Sequence, residues 1–175
     1  MPYAIELALD ATAAAVVRRV WRELEEAGIT HMARSGARPH VSLGIWETLE
    51  RVAAEGELTQ FAAETAAIPF TLASVALFPG VAVFLAPTVT ARLLDLHAGF
   101  HRRFGPFGEA PWDHYRPGVW VPHCTLATDL EPPQFGAALA IAGRAPLPVE
   151  CRLVEIGIVE FRPVKPLVSR VLAGR

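Results

Sequence analysis

Arg38-Pro39-His40-Val41-Ser42-Leu43-Gly44-Ile45-Trp46 and Val119-Trp120-Val121-Pro122-His123-Cys124-Thr125-Leu126-Ala127 carry one shared pattern, P-H-x-[S/T]-L. Both stretches read as β-strands, rich in β-branched and aromatic residues and preceded by turn formers. Side chains alternate along a strand, so His40 and Ser42 share one face, and Val41, Leu43 and Ile45 make an apolar stripe on the other. In the second stretch His123 and Thr125 share a face, and Cys124 and Leu126 lie opposite with Trp120, which therefore reads as core.

Outward from these two strands, the same order of elements occurs twice. Around the first, strands are expected over Tyr3–Leu9 and over the run IPFTLASVALF. Helices are expected from about Ala13 to Ala27, stopped by Gly28, and from about Leu49 to Ala66, capped by Thr48. The polar stretch from Thr30 to Ala37 reads as turn. Around the second, VAVFLA is a strand, and Thr88 or Thr90 opens a helix to about Phe104. The loop GPFGEAPWDHYRPG follows. A helix after Pro132-Pro133 ends near Gly143, PVECRLVEIGIVEFR is a long strand, and PLVSRVLA is a further one. The expectation is a single domain, 1–175, built of two lobes, about 1–79 and 80–175, with a cleft between them. If an approximate two-fold relates the lobes, two imidazoles and two hydroxyls line that cleft.

Such a set suits attack on a phosphodiester. A neutral imidazole removes a proton from the nucleophile, and an imidazolium gives one to the leaving oxygen. The hydroxyls of Ser42 and Thr125 hydrogen-bond the non-bridging phosphate oxygens. Proton transfer and hydrogen bonding manage the charge, so this chemistry requires no metal and no cofactor. The paired segments His40-Val41-Ser42-Leu43 and His123-Cys124-Thr125-Leu126 resemble the H-x-[S/T]-x hallmark of the 2H phosphoesterase superfamily, the 2′-5′ RNA ligase-like proteins and cyclic nucleotide phosphodiesterases. The resemblance implies an α+β, bilobal duplicated fold, with an antiparallel sheet in each lobe and helices outside. It also implies a 2′,3′-cyclic phosphate or a 2′-5′ linkage as substrate, handled without metal, with His40 and His123 as the acid–base pair.

Around the motifs stand further candidates. Arg38 lies two residues before His40 and is a candidate phosphate contact. Tyr115 and Arg116, in the loop before the second motif, are candidates for stacking a base and holding a phosphate. His97 and His101, four apart on a helix, have the spacing of two metal ligands but lack a third, so a partly exposed helix face is expected. Arg18, Arg19 and Arg22 read as a solvated face balanced by Glu23, Glu25 and Glu26. Cys124 points away from the site as a buried thiol, and a Cys124–Cys151 disulfide has no support from context.

The 175 residues, 52% apolar and 19% charged, supply a core for one domain and leave little case for disorder. A net charge of −2 argues against a long track for duplex nucleic acid. There is no 18-residue apolar run and no signal-peptide pattern, so a cytoplasmic protein without membrane attachment is expected. No G-x-S-x-G elbow, Walker-type loop or G-x-G-x-x-G is present. The expected partner is a small nucleotide or an RNA end, met by a monomer that builds its cleft internally. Two other readings remain at this point: a module that binds a nucleotide or RNA end without chemistry, and a histidine metal site.

Overall fold

Apolar alternation and turn formers yield eight strands among residues 1–174, which the computed structural model describes. They are β1 (Tyr3–Leu9), β2 (His40–Leu49), β3 (Ile68–Phe78), β4 (Ala82–Pro87), β5 (Gly108–Pro111), β6 (Cys124–Thr128), β7 (Val149–Glu160) and β8 (Lys165–Val171). Between them lie α1 (Ala11–Glu26), α2 (His31–Arg34), α3 (Arg51–Glu64), α4 (Ala91–Phe104) and α5 (Gln134–Ala142). The fold is α+β, and every pairing of these strands is antiparallel. No helix among the described residues is long and apolar enough to cross a membrane.

The strand order is β5-β2-β1-β7-β3-β4-β6, with β8 also paired to β7. The twelve residues of β7 serve both ends of the molecule. Its Val149–Leu153 stretch pairs β3, while Leu153–Glu160 pairs β1 on one edge and, from Glu155, β8 on the other. The segments 1–79 and 80–175 expected as lobes therefore exchange elements. β7 lies between β1 and β3, β5 extends β2, and α1 packs on β6 and α5.

Helix α1 shows how local sequence and packing agree. Asp10 accepts from the Ala13 backbone N–H at 3.0 Å, capping the helix, and its second oxygen takes the Arg152 N–H of β7 at 2.7 Å. Ala13, Val17, Val20, Trp21 and Leu24 then repeat at helical spacing and are all buried. On the other side of the core, Phe61 of α3 meets Phe100 and Phe104 of α4 with ring centroids 6.3 and 5.8 Å apart. Each such pair is worth about 0.5–1.5 kcal/mol beyond its buried area.

Four local expectations need correction. Strand β2 continues to Leu49 because β5, a strand hidden in the loop after α4, pairs with it (Thr48 opposite Glu109). Thr48 is therefore a strand residue, and α3 starts at Arg51 without a side-chain cap. The stretch read as turn holds the one-turn helix α2. Strand β6 begins only at Cys124, so Trp120 is buried for a reason other than alternation. Its ring stacks on His97 with centroids 3.8 Å apart and its indole N–H donates to the Ser42 carbonyl at 3.1 Å.

A bulge explains the fourth. In β1–β2, Glu6 faces Ser42 but Ile5 faces Gly44, so Leu43 has no partner. One extra residue reverses the faces beyond it. Ile45, expected in the core stripe, instead lies on the opposite face with Ala4 and Val159, and Gly44 takes the core side. A side chain on Gly44 would run into the rings of Trp46 and Phe100.

The bulge also decides the fate of His97 and His101. His101 is half-buried, in keeping with a partly exposed face, but His97 is not. His97 is 2% exposed, and both Nε2 atoms reach the Leu43 carbonyl, at 2.9 and 3.0 Å. They donate to an oxygen that the bulge has removed from the ladder.

Burial, then the neighbouring His101 charge, push His97 down to about 4. The unfolded chain takes up this proton near pH 6.5, well before the folded one does. The contribution to stability is thus complete above about 6.5 and fades as the pH falls toward 4, by about 3 kcal/mol at full extent. Urea unfolding midpoints at pH 7 and 5 are expected to drop for the wild type. They should drop less for His97→Gln, which keeps a donor to Leu43 but does not titrate.

Candidate active site

Both motif strands place their functional residues by the same local rule. The second motif has its own bulge at the same place: on β4–β6, Phe84 faces Thr125 but Val83 faces Ala127, leaving Leu126 unpartnered. His40 Nδ1 donates to the Arg38 carbonyl at 2.6 Å, and His123 Nδ1 to the Val121 carbonyl at 2.7 Å. A carbonyl only accepts, so both Nδ1 atoms carry hydrogen and both Nε2 atoms are left for other partners. A tryptophan caps each motif from behind. Trp120 takes the Ser42 carbonyl, and the Trp21 indole takes the Thr125 carbonyl, at 3.1 Å each. Nothing in the primary pattern pairs Trp21 with Trp120; only the tertiary arrangement reveals it.

His40, Ser42, His123 and Thr125 line one cleft of about 1110 Å³. That volume is slightly above the usual range of small-molecule sites, about 300–1,000 Å³, and admits a nucleotide or a strand end. Tyr115 lines it too, its ring 6.2 Å from that of His123. Burial pushes its phenol up to about 12, so it remains a neutral hydrogen-bonding group. Trp112 and Phe161 stand on the same wall, edge to face with centroids 5.6 Å apart, and the Arg162 guanidinium lies over both rings. His31 and Arg34 also line the cleft.

Two candidates are not brought to the cleft. Arg38 is turned away from it to two carboxylates. Its Nε donates to Glu6 at 2.8 Å, and its Nη1 pairs with Glu155 of β7. The guanidinium passes over Gly157, where a Cβ would come within 2.5 Å of Nη2. Arg116 pairs with Asp113 at 3.1 Å, exposed at the surface. The thiol of Cys124 is buried away from the cleft as expected, and it and Cys151 are both free. Burial raises each to about 12, which keeps them protonated.

Sequence reading missed three residues around the histidines. Glu6, 3% exposed, holds one oxygen 3.4 Å from His40 Nε2. Its signal was there, a lone acid inside the apolar run of β1. Phe78 and Phe84 flank the His123 ring at 5.1 and 5.3 Å; an apolar residue on an apolar strand gives no such signal. Burial lowers His123 below the ordinary imidazole value; the Val121 carbonyl opposes this, and the nearby His40 charge adds to it. His123 therefore enters neutral solution uncharged, with a free lone pair on Nε2. The cleft thus offers a proton acceptor, a second imidazole against a carboxylate, and two hydroxyls, with both imidazoles fixed by backbone hydrogen bonds.

Comparison with known proteins bears on the fold and the family. The described fold resembles that of TT0787 from Thermus thermophilus, with a TM-score of 0.64 and 18% identity over 99% of each chain. It also resembles E. coli LigT complexed with 3′-AMP (TM-score 0.57, 17% identity, covering 99% of this chain and 100% of that one). For LigT complexed with NADP+ the TM-score is 0.54 and the identity 17%, with the same coverage. No curated protein matches the sequence. A family model described as the 2′-5′ RNA ligase superfamily matches residues 8–164, and the chain belongs to that superfamily, the 2H phosphoesterases.

Proposed function

We propose that the protein is a metal-independent phosphoesterase that acts on a 2′,3′-cyclic phosphate or a 2′-5′ phosphodiester at a nucleotide or RNA end. The observation that carries this reading is the pair of imidazoles tied at Nδ1, set with two hydroxyls in one cleft. One imidazole takes the proton of the attacking oxygen and the other supplies the proton of the leaving one. Ser42 and Thr125 hold the non-bridging oxygens as charge builds on them. The rings of Tyr115 and Trp112 offer stacking surface for a base. That LigT was solved with 3′-AMP and with NADP+ supports a nucleotide as the ligand class.

The first test is turnover of a panel of 2′,3′-cyclic nucleotides and 2′-5′ dinucleotides in excess EDTA. Wild type is expected to turn over at least one of them. His40→Ala and His123→Ala should each lose about 100- to 10,000-fold in kcat, the usual worth of one positioned proton transfer. Binding of a nucleotide by wild type with no turnover of any diester would instead mean a binding module.

Ser42→Ala and Thr125→Ala are expected to lower kcat by about 100-fold each while changing KM little, because their hydrogen bonds strengthen only as charge develops. Initial rates over a range of substrate concentrations measure both.

The pH–rate profile should be bell-shaped. Because His123 is lowered by burial, the acidic limb is expected below pH 6.5, the ordinary imidazole value. A rate independent of pH between 5 and 9 would count against the pairing.

A further inference from the structure

The two motifs match position by position through the bulges. On the first, β1 supplies Glu6 across from Ser42; on the second, β4 supplies Phe84 across from Thr125. Glu6 and Phe84 thus occupy equivalent places, each beside the histidine of its own motif. One is a carboxylate and the other a phenyl ring. The near-symmetry of the site is broken most sharply there.

We propose that Glu6 and Phe84 are positioning residues that divide the labour of the two histidines, Glu6 making His40 the proton donor and Phe84 making His123 the proton acceptor. The inference rests on the phosphoesterase reading above and deepens it.

Charge and distance support the division. Glu6 is held from behind by Arg38, which also pairs with Glu155. The trio carries a net charge of −1, and an imidazolium at His40 brings the group to neutrality. The 3.4 Å between Glu6 Oε2 and His40 Nε2 is ion-pair distance and longer than a good hydrogen bond. The carboxylate attracts the charge without capturing the proton, which stays available to a ligand. The other titratable groups near His40 are His123, which feels the His40 charge, and the neutral Cys124 thiol against the His40 backbone. Around His123 stand Phe78, Phe84 and Tyr115, and among the described residues no carboxylate lies within ion-pair distance of it. An apolar wall disfavours the charged form of an imidazole.

For a cyclic phosphate the step balances as follows. Water gives one proton to His123 Nε2 as its oxygen forms a bond to phosphorus. The bond from phosphorus to one ribose oxygen breaks, and that oxygen takes the proton of His40 Nε2. The product is a ribose monophosphate with one free hydroxyl. Proton exchange with solvent then restores both histidines.

The test follows the imidazole C–H signals of the full chain by NMR as the pH is raised. His40→Gln and His123→Gln assign them. In wild type His123 is expected to lose its proton at lower pH than His40. Glu6→Gln keeps the shape and removes the charge. It should bring the His40 transition to lower pH and leave that of His123 in place. Glu6→Asp, which keeps the charge, should restore most of the wild-type order. In turnover of a 2′,3′-cyclic nucleotide, the Glu6→Gln alkaline limb should move with His40, lowering the ratio of the rate at pH 8 to that at pH 6 by about tenfold. A role in structure alone would lower the rate evenly across pH. The proposal is overturned if His40 loses its proton before His123 in wild type, a result that needs no variant to fold. It is also overturned if a folded Glu6→Gln leaves the His40 transition unmoved. Should the NMR order hold while no cyclic or 2′-5′ diester is turned over, the phosphoesterase reading fails and the division of charge stands.

Discussion

Strand β7 is the constraint on which the remaining structure depends. One stretch of twelve residues gives its first half to β3 and its second half to β1 and β8. The two motif strands hang from it at either end, β2 through β1 and β6 through β4 and β3. A strand cannot slip by one residue without reversing its faces, so the ladders on both edges of β7 hold one another in register. The opposed motifs face one cleft because a continuous backbone joins them. Asp10 adds a tie, capping α1 while taking an N–H of β7.

Within each arm a bulge at the motif leucine re-aims the strand. It turns Ile45 to the cleft side, and it frees carbonyls that a regular ladder would have consumed. Those oxygens are then claimed by side chains from elsewhere in the chain: Leu43 by His97 and His101, Ser42 by Trp120, Thr125 by Trp21. Buried backbone groups left unpaired cost about as much as a lost hydrogen bond, so these donors are part of what allows the bulges to exist. They also lock the strand segment that carries each histidine. Rigidity at the histidines thus comes from residues that do not line the cleft.

The symmetry of the backbone contrasts with the asymmetry of the side chains. His40 looks toward a carboxylate anchored by arginine, and His123 toward phenyl rings. Two copies of one motif begin chemically alike, and single neighbouring positions on β1 and β4 give their histidines different surroundings.

The α+β class followed from the family resemblance; the sequence by itself determined the paired P-H-x-[S/T]-L strands, most element boundaries and the four side chains His40, Ser42, His123 and Thr125. These are local properties: alternation, caps, turn residues and spacing within a few residues. The tertiary structure alone decided what depends on contacts between distant segments. Strand β5 is a short Gly-Pro stretch without alternation, and it exists because β2 offers an edge. Arg38 and Arg116 had the charge and the place in sequence to bind phosphate, but carboxylates on other segments or turns claimed them first. His97 looked like a surface residue until a bulge on another element gave it a carbonyl to bind. Glu6 and Phe84 became equivalent only when β1 and β4 paired with the motif strands. Local pattern fixes which face a residue occupies; which partner meets it there is set by folding the chain upon itself.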